Sequence, residues 1–203
     1  MSERKYLDQV YDLAARGGVE DLYDAWAQSY DEELTENGYA TPARLARAMR
    51  ATGCTGPVLD MGCGTGLSGQ ALRAEGFEVI DGTDLSDGML DLARAKGIYR
   101  KLWRTDPAAP LPVTPGDYPT IAATGVVSPG AAPAGLMDVI LDALAPGGRL
   151  AFSYNDHALN DPSYTAALAR HLASGSVKKL HEDHGPHLPE IDLNSTVYVI
   201  EKT

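Results

Sequence analysis

The sequence predicts an α/β fold built on a doubly wound, mostly parallel sheet with helices on both faces. From Gly56 onward, short apolar runs alternate regularly with helix-like segments, as they do in consecutive βαβ units. The first apolar run ends in a glycine-rich turn that leads into a helix. The last run, Asn194 to Glu201, alternates apolar and polar residues, which predicts a half-buried antiparallel strand.

The segment before the first strand has helical spacing throughout. A first helix is predicted from Tyr6 to Ala14 and is stopped by Gly17-Gly18. A second runs from about Val19 to Glu36, and a third begins with Thr41 as its N-cap and Pro42 in its first turn. We expect the three helices to form a cap over the carboxyl edge of the sheet.

The elements that follow are predicted from apolar runs and helical periodicity. In chain order they are a strand at 57–61, a helix at 66–75, a strand at 77–83, a helix at 86–96, strands at 98–105 and 118–124, a helix at 132–145, a strand at 147–154, a helix at 162–173, and strands at 176–182 and 194–201. Residues 106–117 contain four prolines and are predicted to be a loop. Residues 181–190 are predicted to link the last two strands.

The composition limits the partners of the chain. Its 203 residues suit one domain, and 17 basic against 28 acidic residues give a formal net charge of −11. This charge repels phosphate backbones, so nucleic-acid substrates are disfavoured and a small-molecule substrate is favoured. Two cysteines, Cys54 and Cys63, make no disulfide framework, and no stretch has the character of a signal peptide or a membrane span. We therefore expect a cytoplasmic protein without membrane association, as a monomer or a homodimer.

The most informative stretch is the turn after the first strand. Its glycines let a ligand lie against bare backbone, beside the free N–H groups of the following helix. The run from Gly64 to Gly69 satisfies the dinucleotide pattern G-x-G-x-x-G, which is a weak signal by itself. The spacing Asp60-x-Gly62-x-Gly64-x-Gly66 instead resembles the nucleotide-binding motif of class I S-adenosylmethionine-dependent methyltransferases. Both families use an acid at the end of the second strand to bind ribose hydroxyls, and Asp84 stands there.

Three later segments favour the methyltransferase interpretation. Asp84 to Leu90 resembles the segment in which the ribose-binding acid precedes a helix with an adenine-contacting apolar side chain. Thr105-Asp106 ends a third strand, where that family places an acid near the adenine amino group, and Pro146 to Phe152 resembles its fifth strand and the turn before it. The resemblance implies a Rossmann-like, seven-stranded sheet whose last strand is antiparallel, and S-adenosyl-L-methionine as the cofactor.

The resemblance also implies a division of labour along the chain. Residues 1–52 would form the helical cap, 53–155 the cofactor-binding core, and 156–203 a C-terminal helix and strand hairpin of the same single domain. The cofactor-binding residues that it implies in the core are Asp60, Gly62, Cys63, Gly64, Gly66, Asp84, Leu85, Met89, Thr105, Asp106 and Ala123.

An aromatic segment in the second helix resembles the N-terminal part of small-molecule methyltransferases of the Williams–Beuren region methyltransferase-like group. The segment runs from Tyr23 to Asp31 and is followed by Asn37-Gly38-Tyr39. In related enzymes it helps to close over the methionine end of the cofactor, so Trp26 and Tyr30 are candidate lid residues that contact the cofactor. The alternative is structural, because aromatic residues at this spacing commonly form the buried face of a helix.

No catalytic base can be assigned. Residues 122–130 lack the acid-Pro-Pro-aromatic signature of amino methyltransferases and carry no histidine after the glycine. The weak candidates are His157, after the fifth strand, and His187, in a segment that resembles a loop near the substrate pocket of the related group. His181, His184 and His187 have a spacing that invites a metal hypothesis, but a polar loop is favoured and no metal is expected.

The predicted function is therefore S-adenosylmethionine-dependent methyl transfer to a small-molecule acceptor, catalysed mainly by alignment of the nucleophile. The accepting atom, O, N or S, stays open. One alternative is a nicotinamide-dependent oxidoreductase that uses the glycines from Gly64 to Gly69. Another is a non-catalytic protein that binds the cofactor for regulation.

Overall fold

The computed structural model describes residues 19–203 and contains a seven-stranded sheet. The strands are β1 (Val58–Met61), β2 (Ile80–Asp84), β3 (Lys101–Arg104), β4 (Thr120–Ala123), β5 (Arg149–Asn155), β6 (Val177–Leu188) and β7 (Leu193–Lys202). They lie in the order β3-β2-β1-β4-β5-β7-β6, with β1 to β5 parallel and β7 antiparallel to both β5 and β6. The predicted fold class is confirmed.

The helices connect these strands and flank the sheet. They are α1 (Val19–Glu36), α2 (Thr41–Ala51), α3 (Leu67–Ala74), α4 (Asp87–Ala95), α5 (Leu136–Ala143), α6 (Asp156–Asn160) and α7 (Pro162–Ser174), with a 3-10 turn at Pro189–Ile191. The first predicted helix, Tyr6 to Ala14, and the glycines that stop it lie outside the described residues. The short helix α6 was not predicted. None of the helices in residues 19–203 has the length and apolar character that crossing a membrane requires.

The core has two sides because successive strand residues point to opposite faces of the sheet. On one side, Leu59 and Phe152 are fully buried in a cluster with residues of α5 and α7. On the other, Val58 is fully buried in a cluster to which α2 contributes Leu45 and Met49. Burying a side chain of this size contributes about 1.5–3 kcal/mol. These clusters hold the sheet rigid, so the turns at its carboxyl edge have a fixed base.

The predicted helical cap is confirmed for α1 but not for α2. Helix α1 lies against α4 and over the carboxyl edge. Helix α2 packs on one face of the sheet instead, against α3, β5 and β7, because Leu45, Ala46 and Met49 form its apolar stripe there. The prediction that Thr41 is the N-cap is also wrong. Ala40 occupies the N-cap, and the Thr41 hydroxyl bonds to residues near the end of the chain.

The predicted loop at residues 181–190 is largely strand. β6 continues to Leu188, and only residues 189–192 separate it from β7. β6 lies at the edge of the sheet and pairs with β7 alone. An edge strand tolerates a proline and the irregular register that the pairing shows between Pro186 and Leu188. For this reason the polar, proline-containing sequence after residue 182 did not predict that β6 continues to Leu188.

Candidate functional site

The turn between β1 and α3 brings bare backbone to the carboxyl edge of the sheet. Gly62, Gly64 and Gly66 have φ angles of +66°, +53° and +96°, a region that disfavours residues with a Cβ atom. A Cβ at Gly62 would also lie 2.4 Å from Val126 Cγ2, whereas a Cβ at Gly64 would have no neighbour within 4 Å. Gly62 is thus required by packing, while Gly64 borders open space.

Asp84, at the end of β2, is fixed by backbone donors on both carboxylate oxygens. Gly64 N–H donates to Oδ2 at 2.8 Å, and Ser86 N–H donates to Oδ1 at 3.1 Å. Burial raises the pKa of Asp84, the backbone N–H groups oppose this, and the nearby Asp24 adds to it. The N-cap of α4 is Ser86, whose hydroxyl accepts the Met89 N–H at 3.0 Å. Asp84 is therefore not required as the helix cap.

A cavity of about 420 Å³, the large cavity, opens above these turns. Its walls come from the ends of β1, β2, β3 and β4, from α1 and from residues 107–139. Eight of the predicted cofactor-binding residues line it, namely Tyr30, Gly62, Gly64, Asp84, Leu85, Met89, Thr105 and Asp106. The position agrees with the rule that open α/β sheets bind ligands at the carboxyl ends of their strands, where the strand order reverses.

The other five predicted cofactor-binding residues do not line the large cavity: Asp60, Cys63, Gly66, Ala123 and Trp26. Asp60 lies fully buried, and its Oδ2 accepts the Ser68 hydroxyl at 2.6 Å and the Tyr99 hydroxyl at 2.8 Å. Burial raises the pKa of Asp60 to about 6, against the effect of these two hydrogen bonds. Asp60 thus lies inside the core, where it stabilises the segment around the glycine turn and does not line the large cavity.

Packing inside the protein accounts for Cys63 in the turn and for Gly69 in the following helix. Cys63 is buried against Leu90 and Ala93 of α4, and burial raises the pKa of its thiol well above the ordinary value. A Cβ at Gly69, the last glycine of the dinucleotide pattern, would lie 2.4 Å from the Tyr99 hydroxyl. Gly69 is therefore required by contact with this tyrosine.

Helix α1 forms one wall of the large cavity and is held in place by the contacts of two of its aspartates, Asp24 and Asp31. Tyr23 and Tyr30 line the cavity, and Trp26 packs against both, with ring centroids 5.8 Å and 4.6 Å from theirs. Asp24 accepts the Ser86 hydroxyl and the Gly88 N–H, the latter at 3.1 Å. Further along the helix, Asp31 accepts the Thr65 hydroxyl and lies 2.5 Å from Lys96 Nζ.

A second cavity of about 50 Å³, the small cavity, adjoins the large one on the side of α1. The two share Tyr23, Tyr30 and Gly125 as walls. His187, at the end of β6, and Trp26 line the small cavity. His187 is 7% exposed, its ring lies edge-on to Tyr39, and its Nδ1 is 2.8 Å from the Thr41 hydroxyl.

His187 is held in its neutral form. Burial lowers its pKa to about 4; Asp156 opposes this shift, whereas Arg44 and His157 add to it. His157 itself is exposed on α6 and lines neither cavity. Within residues 19–203, no group of His, Cys, Asp and Glu residues has an arrangement that could hold a metal ion.

Thr124 is a functional candidate that the sequence analysis missed. It follows β4, lines the large cavity and is 8% exposed, yet its hydroxyl has no hydrogen-bond partner in the described part of the chain. The hydroxyl oxygen is fully enclosed, so a ligand in the large cavity could bond to it only after a small movement of the Thr124 side chain. Its place after the fourth strand was a signal that the sequence offered.

The donors and surfaces of the large cavity fit S-adenosylmethionine. The fixed carboxylate of Asp84 can accept ribose hydroxyls, and Leu85 and Met89 supply apolar surface beside it. Gly64 leaves space for a ligand against the backbone.

Comparison with known proteins agrees with this geometry. Residues 26–195 match a family described as a methyltransferase domain. Human methyltransferase-like protein 27 is 34% identical in an alignment of 160 residues that covers 73% of this chain and 64% of the human protein. The chain thus spans less than two thirds of that relative.

Solved structures support the fold. A TehB-like S-adenosylmethionine-dependent methyltransferase from Corynebacterium glutamicum superposes with a TM-score of 0.60 at 20% identity, covering 88% of this chain and 99% of that one. A complex of the Haloferax volcanii Trm112 methyltransferase activator and a putative methyltransferase gives a TM-score of 0.67 at 17% identity, covering 89% and 97%.

Proposed function

The chain belongs to the methyltransferase-domain family, whose cofactor is S-adenosylmethionine, and we propose that it transfers a methyl group from this cofactor to a small-molecule acceptor. The observation that carries the proposal is the large cavity, in which Asp84 is held ready by the N–H groups of Gly64 and Ser86. The same cavity contains eight of the residues that the sequence predicts for the cofactor.

The residues around the large cavity suggest how the cofactor would be held. Asp84 would accept the ribose hydroxyls, and Leu85 and Met89 would pack against the adenine. Thr105 and Asp106 would face the polar edge of the base. The turn around Gly64 would lie against the amino-acid end, where Tyr30 of α1 forms the opposite wall.

Alignment of the acceptor is the main catalytic task of these residues. The bound cofactor supplies a methyl group on a sulfonium centre, which is already electrophilic. Proximity and orientation can lower a barrier by about 7–11 kcal/mol. No histidine lines the large cavity within residues 19–203, and we assign to the residues of this site the tasks of holding the acceptor and excluding water. Helix α1 serves both purposes, because Tyr23 and Tyr30 wall the large and small cavities together.

Two observations support a small-molecule acceptor. The small cavity has a volume of about 50 Å³, which suits a few non-hydrogen atoms. The basic residues between 94 and 104 are largely engaged with acids, which leaves little positive charge for a phosphate backbone. Arg94 pairs with Asp91, Lys96 with Asp31 and Arg100 with Asp81. A cytoplasmic location and a monomeric or homodimeric state stay predictions.

The test is titration calorimetry of the purified protein with S-adenosylhomocysteine and, in a parallel cell, with NADH. We expect micromolar binding of S-adenosylhomocysteine and no binding of NADH. Binding of NADH alone would support the oxidoreductase alternative. The contact with Tyr99 already explains why residue 69 is a glycine, so the dinucleotide pattern is not needed to account for it. Binding of S-adenosylhomocysteine without turnover on amines, thiols, phenols and carboxylates would favour the non-catalytic alternative.

A further inference from the structure

His187 stands at one end of a chain of hydrogen bonds that leads away from the small cavity. Its Nδ1 lies 2.8 Å from the Thr41 hydroxyl, which lies 2.8 Å from the Ser195 hydroxyl. Arg44 Nη1 donates to the Ser195 hydroxyl at 3.1 Å. Thr41 and Ser195 are both fully buried, so water does not compete for these bonds.

Arg44 determines which atom donates and which accepts in each of these hydrogen bonds. A guanidinium can only donate, so the Ser195 hydroxyl accepts from Arg44. The proton of Ser195 then has one acceptor within residues 19–203, the Thr41 hydroxyl, and the proton of Thr41 is left for Nδ1 of His187. The opposite direction would leave the buried Ser195 proton without an acceptor, which costs about 1–3 kcal/mol.

Since Nδ1 accepts, a neutral His187 carries its proton on Nε2. The depressed pKa keeps the imidazole neutral at about pH 7, where the ordinary histidine pKa of 6.5 would leave a sizeable charged fraction. No described residue accepts a hydrogen bond from Nε2, and the atom is not among the fully enclosed polar atoms that lack a partner. It therefore has some accessible surface, and the small cavity is the space that His187 lines.

We propose that the Arg44-Ser195-Thr41 chain holds His187 as an Nε2–H donor, and that the small cavity thereby binds the methyl acceptor through an uncharged oxygen. This proposal rests on the proposed function, because it assigns the acceptor to the cavity beside the cofactor. A carbonyl, ether or phenol oxygen suits such a donor. The oxygen would be one that does not receive the methyl group, because a hydrogen bond to the attacking atom occupies electron density that the attack requires.

The walls of the small cavity narrow the acceptor further. Trp26 and Tyr30 pack edge to face, and Tyr39 stands edge-on to His187. Aromatic walls by themselves suit either a planar apolar group or an alkylammonium ion. An Nε2–H donor has no lone pair with which to accept a hydrogen bond from an ammonium group, so the planar, uncharged group is favoured. Besides Arg44, the charged or titratable groups that act on His187 are Asp156 and His157.

Nitrogen NMR of the whole protein, labelled with ¹⁵N-histidine, measures the tautomer directly. The chain has 5 histidines, and His187→Gln assigns the resonance. We expect a protonated Nε2 and an unprotonated Nδ1 at neutral pH, and a mixture of tautomers in Thr41→Val. Thr196→Val is the matched control, since its hydroxyl lies 3.0 Å from Nδ1 of His184 outside both cavities. A proton on Nδ1 of His187 in the wild-type protein, or a charged ring, would overturn the proposal.

The acceptor class is tested with two probes small enough for the small cavity, acetone and isopropylammonium, in the presence of S-adenosylhomocysteine. We expect acetone to shift the Nε2 resonance of His187 and to bind at least about fivefold more tightly than isopropylammonium, as one hydrogen bond predicts. His187→Ala should abolish this preference. Tighter binding of isopropylammonium, or acetone binding that leaves Nε2 unmoved, would contradict the assignment.

The two proposals can fail separately. If S-adenosylhomocysteine does not bind while His187 shows the Nε2–H tautomer, the proposed function is rejected, and with it the role of the small cavity as an acceptor site. If S-adenosylhomocysteine binds while the proton of His187 is on Nδ1, only the further inference is rejected.

Discussion

Replacement of Asp84 by asparagine tests the polar centre of the large cavity. The carboxylate accepts the Gly64 N–H at 2.8 Å and the Ser86 N–H at 3.1 Å, so it is oriented before a ligand arrives. Asparagine keeps the shape of the side chain but places an NH₂ donor where one carboxylate oxygen was. Either a backbone N–H or a ribose hydroxyl then loses its acceptor.

The size of the effect follows from the charge on that acceptor. A hydrogen bond to a charged group contributes about 1.5–3 kcal/mol, and about 1.4 kcal/mol corresponds to a factor of ten in a dissociation constant. One lost bond would weaken binding by about 10- to 100-fold. Burial disfavours the charged form of Asp84 before any ligand binds, so the removal of this charge affects folding stability and leaves the expected loss of affinity unchanged. We therefore expect S-adenosylhomocysteine to bind Asp84→Asn about tenfold more weakly or worse.

The assay is titration calorimetry at neutral pH, with a thermal melt of each variant to confirm folding. Asp87→Asn is the matched control, because the Asp87 side chain is 76% exposed and its Oδ2 is 4.0 Å from Arg104 Nε. Its affinity should stay within about twofold of the wild type, as expected for an exposed pair. Wild-type affinity in a folded Asp84→Asn variant would show that Asp84 does not bind the cofactor.

Two further predictions concern a glycine and a histidine. Gly64 and Gly76 have φ angles of +53° and +86°, and an added Cβ at either would have no neighbour within 4 Å. Alanine at either position should therefore lower the free energy of unfolding, measured by urea titration, by about 1–2 kcal/mol. Only Gly64→Ala should weaken S-adenosylhomocysteine binding. Equal affinity of both variants would contradict a ligand beside Gly64. Unfolded His187 gains a proton below its ordinary pKa of 6.5, whereas the folded form stays neutral down to about 4. When the pH is lowered from about 7 to about 4, the free energy of unfolding of the wild type should therefore fall by about 3 kcal/mol more than that of His187→Gln. A difference in free energy of unfolding that does not change with pH would contradict the depressed pKa. Asp60 acts in the opposite sense, because its raised pKa favours the folded state as the pH falls through about 6, but it is present in both proteins and cancels.

The sequence was most informative where one local geometry admits few residues. A strand that turns at once into a helix needs positive φ angles, and the glycines at 62, 64 and 66 supply them. The acid that ends the second strand was placed correctly at the cavity, because consecutive parallel strands bring their carboxyl ends to one edge. The seven-stranded sheet with its antiparallel last strand followed from the family resemblance and is confirmed.

The sequence was least informative where the site depends on contacts between distant segments. Thr41 looked like a helix cap, since threonine at the start of a helix commonly is one. Its hydroxyl instead meets His187 and Ser195, which lie about 150 residues later, and nothing local distinguishes the two uses. For the same reason His187 could be suggested as a pocket residue, but its tautomer required the structure.

The fastenings of α1 connect its position to the electrostatics of the cofactor site. Asp24 accepts the Ser86 hydroxyl and the Gly88 N–H at the start of α4, and its charge raises the pKa of Asp84. Movement of α1 away from the large cavity would remove this carboxylate and would also break the pair between Asp31 and Lys96. The same movement would open the wall formed by Tyr30. Helix α1 therefore forms a wall of the cavity and, through Asp24, adds to the effect of burial on the pKa of Asp84. A ligand that binds the ionised Asp84 would thus also change the balance of contacts that hold α1 in place.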